Sequence, residues 1–138
     1  MIQTKPYSYA RKNLITCGIG DSIKYVAKLF EDENVGSALV KDERGEYVGM
    51  ITDSIVFHAV QEGRDVSKMF VKDFQLLPLI KVSKDISFEE ISDLFKKHHV
   101  GRIAMVDENG KVVAVLKKKN LERFSSFNMA STISSLKK

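Results

Sequence analysis

Apolar residues recur at the i, i+3, i+4, i+7 spacing of an amphipathic helix in two separate stretches of the chain. The first stretch contains Ile23, Val26, Ala27 and Phe30, and the second contains Phe88, Ile91, Ser92 and Phe95. Ser87 and Glu90 form an S-x-x-E capping box ahead of the second stretch. Val35-Gly36 and Val100-Gly101 follow the two stretches. We expect these glycines to end the helices.

Short apolar runs around these helices predict strands. Leu14-Ile15 and Leu79-Ile80 predict one strand ahead of each helix. Residues 37–41 with 47–52, and 102–106 with 112–116, predict two hairpins, whose turns carry the Asp, Asn and Gly typical of tight turns. Residues 53–62 and 118–127 predict a closing helix after each hairpin. Each half of the chain therefore has the order β-α-β-β-α.

The two halves are an internal repeat. A shift of about 65 residues places Leu29-Phe30 on Leu94-Phe95, Val35-Gly36 on Val100-Gly101, and Phe74 on Tyr9. The repeat predicts an α+β fold in which two similar units bury a shared interface. We divide the single 1–138 module into repeat one (about 6–62), a linker (about 63–70) and repeat two (about 71–127). The Ser-rich tail, 128–138, is expected to be disordered or a frayed helix.

The composition excludes several classes of protein. The chain has 138 residues, one cysteine (Cys17) and three histidines (His58, His98, His99). It therefore has no internal disulfide framework and no Cys-rich zinc site, and we expect no metal and no catalytic cofactor. There is no apolar run of roughly 20 residues and no signal sequence, so we expect a soluble, cytoplasmic protein without a membrane partner.

The net charge of +4 is unevenly distributed. Residues 1–65 carry 8 Lys and Arg against 10 Asp and Glu, whereas residues 66–138 carry 14 against 8. The basic character therefore belongs to the C-terminal half. A basic half is compatible with nucleic acid or with a smaller phosphate ligand.

The repeat, the Val-Gly pairs, the Asp-Glu-x-Gly hairpins and Gly49-Met50-Ile51-Thr52 resemble CBS domains. Two such domains in tandem resemble a CBS pair, or Bateman module. The resemblance implies two repeats packed about a pseudo-two-fold axis, with two clefts that often bind AMP, ADP, ATP or S-adenosylmethionine. It also implies a disc-like homodimer and a non-catalytic, regulatory role toward a partner that the sequence does not identify.

The family's nucleotide motif, G-h-h-T-x-x-D, is incomplete in both repeats. Repeat one keeps Gly49 and Thr52 but has Ile55 at the ribose-binding Asp position. Repeat two has Ala114, Lys117 and Asn120 at the Gly, Thr and Asp positions. The resemblance therefore favours the second cleft. Its expected ligand residues are Asn120 for the ribose, Arg102, Lys117 and Lys119 for phosphate, and the backbone near Ile80, Ile103 and Ala104 for adenine. The weaker first cleft would use Ile15, Ser37, Ala38, Thr52 and Asp53.

Each of these features also has a structural interpretation. Residues 52–54 could cap a helix. Lys117 to Lys119 could be a solvated basic patch, a phosphate site or a nucleic-acid contact, and Arg102 could pair with Asp107 or Glu108. His58 is interpreted as a partly buried interface residue, and Cys17 as a small apolar filler. His98 and His99 would favour a helix C-terminus.

Three functions follow. The first is a stand-alone regulatory module that binds an adenosine nucleotide. The second is a ligand-free dimerisation or docking scaffold, since the ribose Asp is absent from both repeats. The third is nucleic-acid binding by the basic C-terminal half, although the sequence has no row of aromatic residues on which bases could stack. No catalytic residues are identified, so we do not expect an enzyme.

Overall fold

The computed structural model describes residues 4–122, which form two compact units. We call Leu14–Leu79 the first-repeat unit. The second-repeat unit combines Met1–Asn13 with Ile80–Lys138. Its N-terminal part, residues 4–13, is called the arm below. The units are therefore offset from the sequence repeats, because the first-repeat unit includes residues 63–79, which follow repeat one, and the second-repeat unit includes the arm, which lies ahead of the first-repeat unit.

The first-repeat unit has three strands and two helices. They are β1 (Thr16–Gly18), α1 (Ile23–Glu33), β2 (Ser37–Lys41), β3 (Tyr47–Thr52) and α2 (Asp53–Gln61). Strand β1 pairs parallel to β2, and β2 pairs antiparallel to β3. Two short 3-10 turns follow, at Val66–Lys68 and Val71–Asp73.

The second-repeat unit has the same architecture. It contains β4 (Lys81–Ser83), α3 (Phe88–His98), β5 (Arg102–Val106) and β6 (Val112–Lys117), and residues 118–122 are helical. Strand β4 pairs parallel to β5, and β5 pairs antiparallel to β6. The arm supplies a 3-10 turn at Pro6–Tyr9. The α+β class and the β-α-β-β-α order are thereby confirmed. The predicted end of the last helix and the 128–138 tail lie outside the described residues.

Aspartate and glycine close the two hairpins in the same way. The backbone N–H groups of Arg44 and Glu46 donate to Asp42 Oδ1, at 2.9 and 3.0 Å. The corresponding groups of residues 109 and 111 donate to Asp107 Oδ1 at the same distances. Gly45 and Gly110 have φ values of +82° and +79°, which a side chain would disfavour. Both hairpins follow the sequence-based prediction.

The prediction that glycine ends the first helix of each unit was wrong. Asn34 and His99 take the left-handed conformation immediately after α1 and α3, with φ values of +53° and +52°. Asparagine is one of the residues that tolerates this region. Gly36 and Gly101 come two residues later, where neither has a positive φ. At the other helix ends, Ser22 and Ser87 accept from the N–H groups three residues on, as the capping box predicts for Ser87.

The predicted opening strands are displaced by two residues. Regular pairing begins at Thr16 and Lys81, directly after Leu14-Ile15 and Leu79-Ile80. The predicted residues still take part in the sheets, because Ile15 O accepts from Leu39 N and Ile80 O accepts from Ala104 N, both at 2.8 Å. A parallel edge strand is located by the register of its neighbour, which a local pattern does not specify.

Each sheet buries one face against its own helices. The first-repeat core joins residues of all three strands to both helices, and the second-repeat core is built in the same way. The first core contains Ile15, Cys17, Ile23, Val26, Ala38, Val40, Ile51, Ala59, Val71 and Phe74. The second contains Ile91, Phe95, Ile103, Met105, Ala114, Leu116 and Leu121. Helices α1 and α2 thus cover the same side of the first sheet. Within residues 4–122, no helix has the length and apolarity needed to cross a bilayer.

Candidate ligand-binding site

Two basic residues face each other at one end of the second sheet. Arg102 is the first residue of β5 and pairs in register with Lys117, the last residue of β6. Arg102 is half-buried and Lys117 is exposed. Like charges in directly opposite positions on antiparallel strands repel each other. This end of the sheet therefore carries concentrated positive charge.

A helix begins at the same end of the sheet. Lys118 N donates to Gly101 O at 2.8 Å, which fixes the start of the helix beside β5. Lys118 Nζ lies 3.8 Å from Glu122 Oε1 in an exposed i, i+4 pair, and Lys119 is exposed. Cations at a helix N-terminus oppose the helix dipole, by about 0.3–1 kcal/mol each. An anion bound here would offset this unfavourable free energy, because negative charge interacts favourably with both the lysines and the helix N-terminus.

Asn120, the predicted ribose ligand, is held by the arm. Its Nδ2 donates to Tyr9 O at 3.3 Å, a contact between residues 111 positions apart. The arm is anchored to β6, since Arg11 and Val115 exchange two backbone hydrogen bonds of 2.9 and 3.0 Å. The ring of Tyr9 also packs beside that of Phe88, with centroids 6.1 Å apart. The sequence analysis did not identify the arm as part of this site.

The residues predicted to hold adenine are already part of the sheet. Ile103 and Ala104 are fully buried, and Ile103 belongs to the core on the helix side. Ala104 N donates to Ile80 O, so this donor and this acceptor are committed to the β4–β5 pair. Any contact of Ile103 or Ala104 with a ligand would have to use the remaining backbone groups.

The equivalent end of the first sheet is neutral at the paired positions. Ser37 pairs in register with Thr52, which occupy the places of Arg102 and Lys117. Thr52 is buried, and its Oγ1 accepts from Ile55 N at 3.3 Å. The capping interpretation of Thr52 is therefore realised in the structure.

The other predicted residues of the first site are also used by the fold. Ile15 and Ala38 are buried in the core. Asp53 N donates to Gly36 O at 2.9 Å, and the Asp53 carboxylate lies so close to Gly36 that a Cβ there would be 2.6 Å from Oδ2. Ile55, at the position of the family's ribose acid, packs against the same core. The first site thus lacks both the paired cations of the second and the polar side chain at the position of Asn120.

A cavity of about 390 Å³ lies elsewhere in the first-repeat unit, beside α2. Arg64 lies over the Phe74 ring, 5.5 Å from its centroid, and Arg64 Nη2 donates to Asp73 O at 3.4 Å. The cavity contains Ile55 but none of the five residues predicted for the first cleft. Its lining residues are Ser54, Ile55, His58, Ala59, Glu62, Arg64, Phe74 and Gln75.

The histidines and the cysteine have structural roles. Within this chain His58 is exposed and not partly buried, because its side chain is 71% exposed and pairs with Glu62 at 3.3 Å; its place in an interface stays a prediction. His98 lies in the last turn of α3, and His99 caps that helix. Cys17 is buried, as predicted. Burial, together with the charge of Asp21, raises the pKa of its thiol from 9.0 to about 12. Within the described part of the chain, no three His, Cys, Asp or Glu residues are grouped as a metal site would require.

Comparison with known proteins agrees with this architecture. The chain matches the CBS domain family twice, at residues 7–62 and 71–126. It is 24% identical over 130 residues to the uncharacterised protein MK0525 of Methanopyrus kandleri, covering 94% of the chain. It is 31% identical over 98 residues to the CBS domain-containing protein YhcV of Bacillus subtilis, covering 70% of the chain and 69% of YhcV.

Several curated relatives are longer than this chain. It spans 66% of MK0525, 37% of the uncharacterised protein MJ1232 of Methanocaldococcus jannaschii, and 24% of an inosine-5'-monophosphate dehydrogenase of Nitrosopumilus maritimus. The matching region therefore also occurs as part of an enzyme.

Solved structures share the fold at low sequence identity. The CBS domain pair of protein MJ0100, in complex with 5'-methylthioadenosine and S-adenosyl-L-methionine, aligns with a TM-score of 0.73 and 21% identity. That alignment covers 88% of this chain and 98% of that one. The CBS domain protein PAE2072 of Pyrobaculum aerophilum, complexed with AMP, aligns with a TM-score of 0.71 and 16% identity, covering 85% and 89%. Because the family matches both repeats across most of the chain, this protein belongs to the CBS domain family and carries two CBS domains in tandem.

Proposed function

We propose that this chain is a regulatory module that binds an adenosine-containing ligand at the basic end of its second-repeat unit. AMP, ADP, ATP and S-adenosylmethionine are the candidates. The module would exist in two conformations that bind the ligand with different affinities. Ligand binding would then shift the protein toward the tighter-binding conformation, and a partner protein would respond to that shift.

The observation that carries the proposal is the register pair of Arg102 and Lys117. These residues lie opposite each other at the point where the helix of residues 118–122 begins. Two cations beside a helix N-terminus suit phosphate oxygens, because charge-assisted hydrogen bonds to phosphate are strong. Exposed Lys119 adds a third cation in the first turn of the same helix.

Asn120 supplies the polar group for a ribose. One Nδ2 hydrogen is used by Tyr9 O. The amide also has a second N–H and the Oδ1 acceptor. A donor and an acceptor on one side chain match a pair of vicinal hydroxyl groups. An amide lacks the charge assistance of a carboxylate, so we expect weaker ribose binding than an Asp would give.

Two structural relatives support the ligand class. MJ0100 is complexed with S-adenosyl-L-methionine and 5'-methylthioadenosine, and PAE2072 with AMP. All three ligands contain an adenosine group. Phosphate distinguishes AMP from the two sulfur compounds, and the cations of the second-repeat site favour the phosphorylated candidates. We therefore expect AMP, ADP or ATP to bind more tightly than S-adenosylmethionine.

Calorimetric titration and thermal unfolding with the four ligands test the proposal. A ligand present at 100 times its dissociation constant should stabilise the folded protein by about 2.7 kcal/mol. Replacing Arg102 by Ser and Lys117 by Thr installs the first-repeat residues in the second site. This double variant should lose at least tenfold in affinity for the tightest phosphorylated ligand, because two phosphate-facing charges are removed.

Lys111→Ala is the matched control. It removes one exposed cation at the hairpin end of the same sheet, roughly 16 Å along the strand from Arg102. Its affinity should equal that of the wild type. Equal weakening by Lys111→Ala and by the double variant would mean that only the overall charge matters. No stabilisation by any of the four ligands at millimolar concentration would overturn the proposal and favour the scaffold function.

A further inference from the structure

The cavity beside α2 has an apolar floor and a charged rim. Ala59 and Phe74 on the floor are buried, and Ile55 beside them packs against the first-repeat core. Glu62 and Arg64 on the rim are exposed. The volume of about 390 Å³ lies within the range of about 300–1,000 Å³ that small-molecule sites occupy. An apolar concavity edged by a few polar groups is the usual form of such a site.

The end of α2 brings the two opposite charges of the rim together. Gly63 follows the helix with a φ of +82°, and its N–H donates to Val60 O at 3.0 Å. Arg64 N donates to Ala59 O at 3.1 Å, which completes a glycine-terminated Schellman motif. The chain turns back at this glycine. Glu62, at the C-cap of α2, and Arg64, just after the glycine, therefore both line the cavity.

The two charges of the rim do not neutralise each other. Among the described residues, no ion pair joins Glu62 to Arg64. Glu62 Oε1 contacts His58 Nε2 at 3.3 Å, which leaves Oε2 for another cation. Arg64 Nη2 donates to Asp73 O at 3.4 Å, but a guanidinium has five N–H donors. The rim therefore offers a negative and a positive group to one ligand.

A side-chain contact that joins the last helix to the arm in the second-repeat unit cannot form beside this cavity. In the second-repeat unit Asn120 Nδ2 donates to Tyr9 O. Ile55 and Phe74 occupy the equivalent positions in the first-repeat unit. The Ile55 side chain has no donor, so it cannot hold α2 against the segment that carries Phe74. The cavity lies between that segment and α2.

The charges of the rim are specific to the first repeat. On the 65-residue offset, Glu62 and Arg64 correspond to Phe127 and Met129, which lie outside the described residues. The repeated sequence pattern therefore does not require a charge at either position. Two charges that the pattern does not require, both at the edge of one cavity, indicate a ligand that carries the complementary charges.

A ligand of this cavity combines a negative group, a positive group and an apolar body. A carboxylate matches the planar fork of N–H donors on Arg64, and an ammonium group matches the carboxylate of Glu62. The C-terminal end of a helix also favours a cation. A free α-amino acid carries a carboxylate and an ammonium group on one carbon atom. We propose that this cavity binds a free α-amino acid with an apolar side chain, which lies against Ile55, Ala59 and Phe74.

This amino-acid site is separate from the proposed adenosine site, because all of its lining residues belong to the first-repeat unit. The double variant Arg102→Ser with Lys117→Thr should therefore bind the amino acid with the affinity of the wild type. The two proposals can fail independently.

Calorimetric titration with L-leucine, L-methionine and L-phenylalanine tests the proposal. At least one of them should bind with a millimolar or lower Kd and raise the Tm. The tightest of the three is then compared with its N-acetyl derivative, which lacks the ammonium group, and with its amino alcohol, which lacks the carboxylate. Each derivative should bind at least tenfold more weakly, because a charge-assisted hydrogen bond is lost. Glycine, which lacks the apolar side chain, should also bind more weakly.

Two variants test the residues of the rim. Arg64→Met, which copies the second-repeat residue, and Glu62→Gln should each be folded by circular dichroism and lose at least tenfold in affinity for that amino acid. Glu62→Gln alone decides the question if Arg64→Met does not fold, because it changes one exposed side chain at the end of a helix. Lys68→Met is the matched control, since Lys68 is an exposed cation of the same segment that does not line the cavity. It should bind like the wild type.

Three results would overturn the proposal. The first is no binding of any of the three amino acids at millimolar concentration. The second is equal affinity for the amino acid and for both of its derivatives. The third is a Glu62→Gln variant that binds as tightly as the wild type.

Discussion

The two units have the same order of strands and helices and the same strand pairing, but they carry different side chains at equivalent positions. Ser37 pairs with Thr52 in one sheet, and Arg102 pairs with Lys117 in the other, at the same point of the ladder. Both hairpins have a register irregularity one residue before the end of their first strand. The repeated pattern of apolar, turn and capping residues therefore determines the architecture. The proposed ligand preference depends on a few side chains at one end of each sheet.

The contacts of the third strand are a second point of difference. Met50 exchanges two backbone hydrogen bonds with Leu77, whereas Val115 exchanges two with Arg11. On the 65-residue offset, Arg11 corresponds to residue 76, so the pairing segment is shifted by one residue. The neighbouring residue differs as well, with Gly49 in the first-repeat unit and Ala114 in the second. The shift accompanies the change from a residue without a Cβ to one with a Cβ.

Thiol labelling of Cys17 should give the largest difference between the two units, because this cysteine lies in the first-repeat unit and the second-repeat unit has none. Its equivalent in the second-repeat unit is Val82. With the thiol pKa raised from 9.0 to about 12, the thiolate fraction of the folded protein at pH 8 falls about a thousandfold. Labelling with a thiol reagent at pH 8 should therefore proceed only through opening of this unit. Rapid labelling that does not depend on urea would contradict the buried position.

The same pKa shift sets a pH dependence. The folded state binds the thiol proton more tightly than the unfolded state does. Its contribution to stability is therefore complete below about pH 9 and is lost as the pH rises through about 12. Urea unfolding between pH 8 and pH 11 should show the stability of wild type falling more than that of Cys17→Val. Parallel curves for the two proteins would refute this linkage.

Gly49→Ala should be strongly destabilising, because an added Cβ would lie 2.8 Å from Leu77 O and 3.0 Å from Leu76 Cβ. Backbone cannot give way cheaply, so we expect a loss of about 2–3 kcal/mol in urea unfolding. The reverse change, Ala114→Gly, should cost only about 1 kcal/mol from backbone entropy and lost packing. Similar losses for the two variants would show that the difference between Gly49 and Ala114 is incidental.

Thr52 and Lys117 each precede the last helix of their unit, and replacing them should change stability by smaller amounts and in opposite directions. Thr52→Ala removes the oxygen that accepts from Ile55 N and should cost about 1–2 kcal/mol. Lys117→Thr removes a cation from a helix N-terminus and introduces a capping residue, so stability should increase by about 0.5–1 kcal/mol. Thermal unfolding without ligand measures both. A loss of stability in Lys117→Thr would show that the Lys117 side chain stabilises the fold itself.

His58→Ala should have the smallest effect. The pair of His58 with Glu62 is mostly exposed, so its removal should change stability by less than about 0.5 kcal/mol. Glu62→Gln, which removes the other half of the pair, is the control and should have an equally small effect. A loss above 1 kcal/mol would show that His58 packs against more than Glu62.

Local signals predicted most of the fold. The turns around Asp42 and Asp107 and the caps at Ser22 and Ser87 depend on residues within four positions of each other, so the sequence displays them directly. The opening strands were displaced because their positions depend on pairing with distant neighbours. The glycines after the helices suggested caps, but at Gly36 the close approach of the Asp53 carboxylate accounts for the residue, and at Gly101 there is open space.

The binding site was less predictable than the fold. Arg102, Lys117 and Asn120 were identified through the family motif, and the structure brings them to one end of the second sheet. The role of the arm was missed because Asn120 and Tyr9 are 111 residues apart and have no shared local pattern. The sequence left two roles open for Thr52, a helix cap and a ligand contact. The hydrogen bond from Ile55 N to Thr52 Oγ1, which identifies the cap, is visible only in the structure.

The division of the chain between the two units sets an order for folding during synthesis. Leu14–Leu79 is one continuous segment, so the first-repeat unit can form while the rest of the chain is still being made. The arm is synthesised before the first-repeat unit but contacts residues 115 and 120, which are synthesised after that unit. Closing so long a loop carries an entropic cost that a local contact does not. The arm can therefore dock only after the whole first-repeat unit has been made, and it does so next to the amide proposed to hold the ribose.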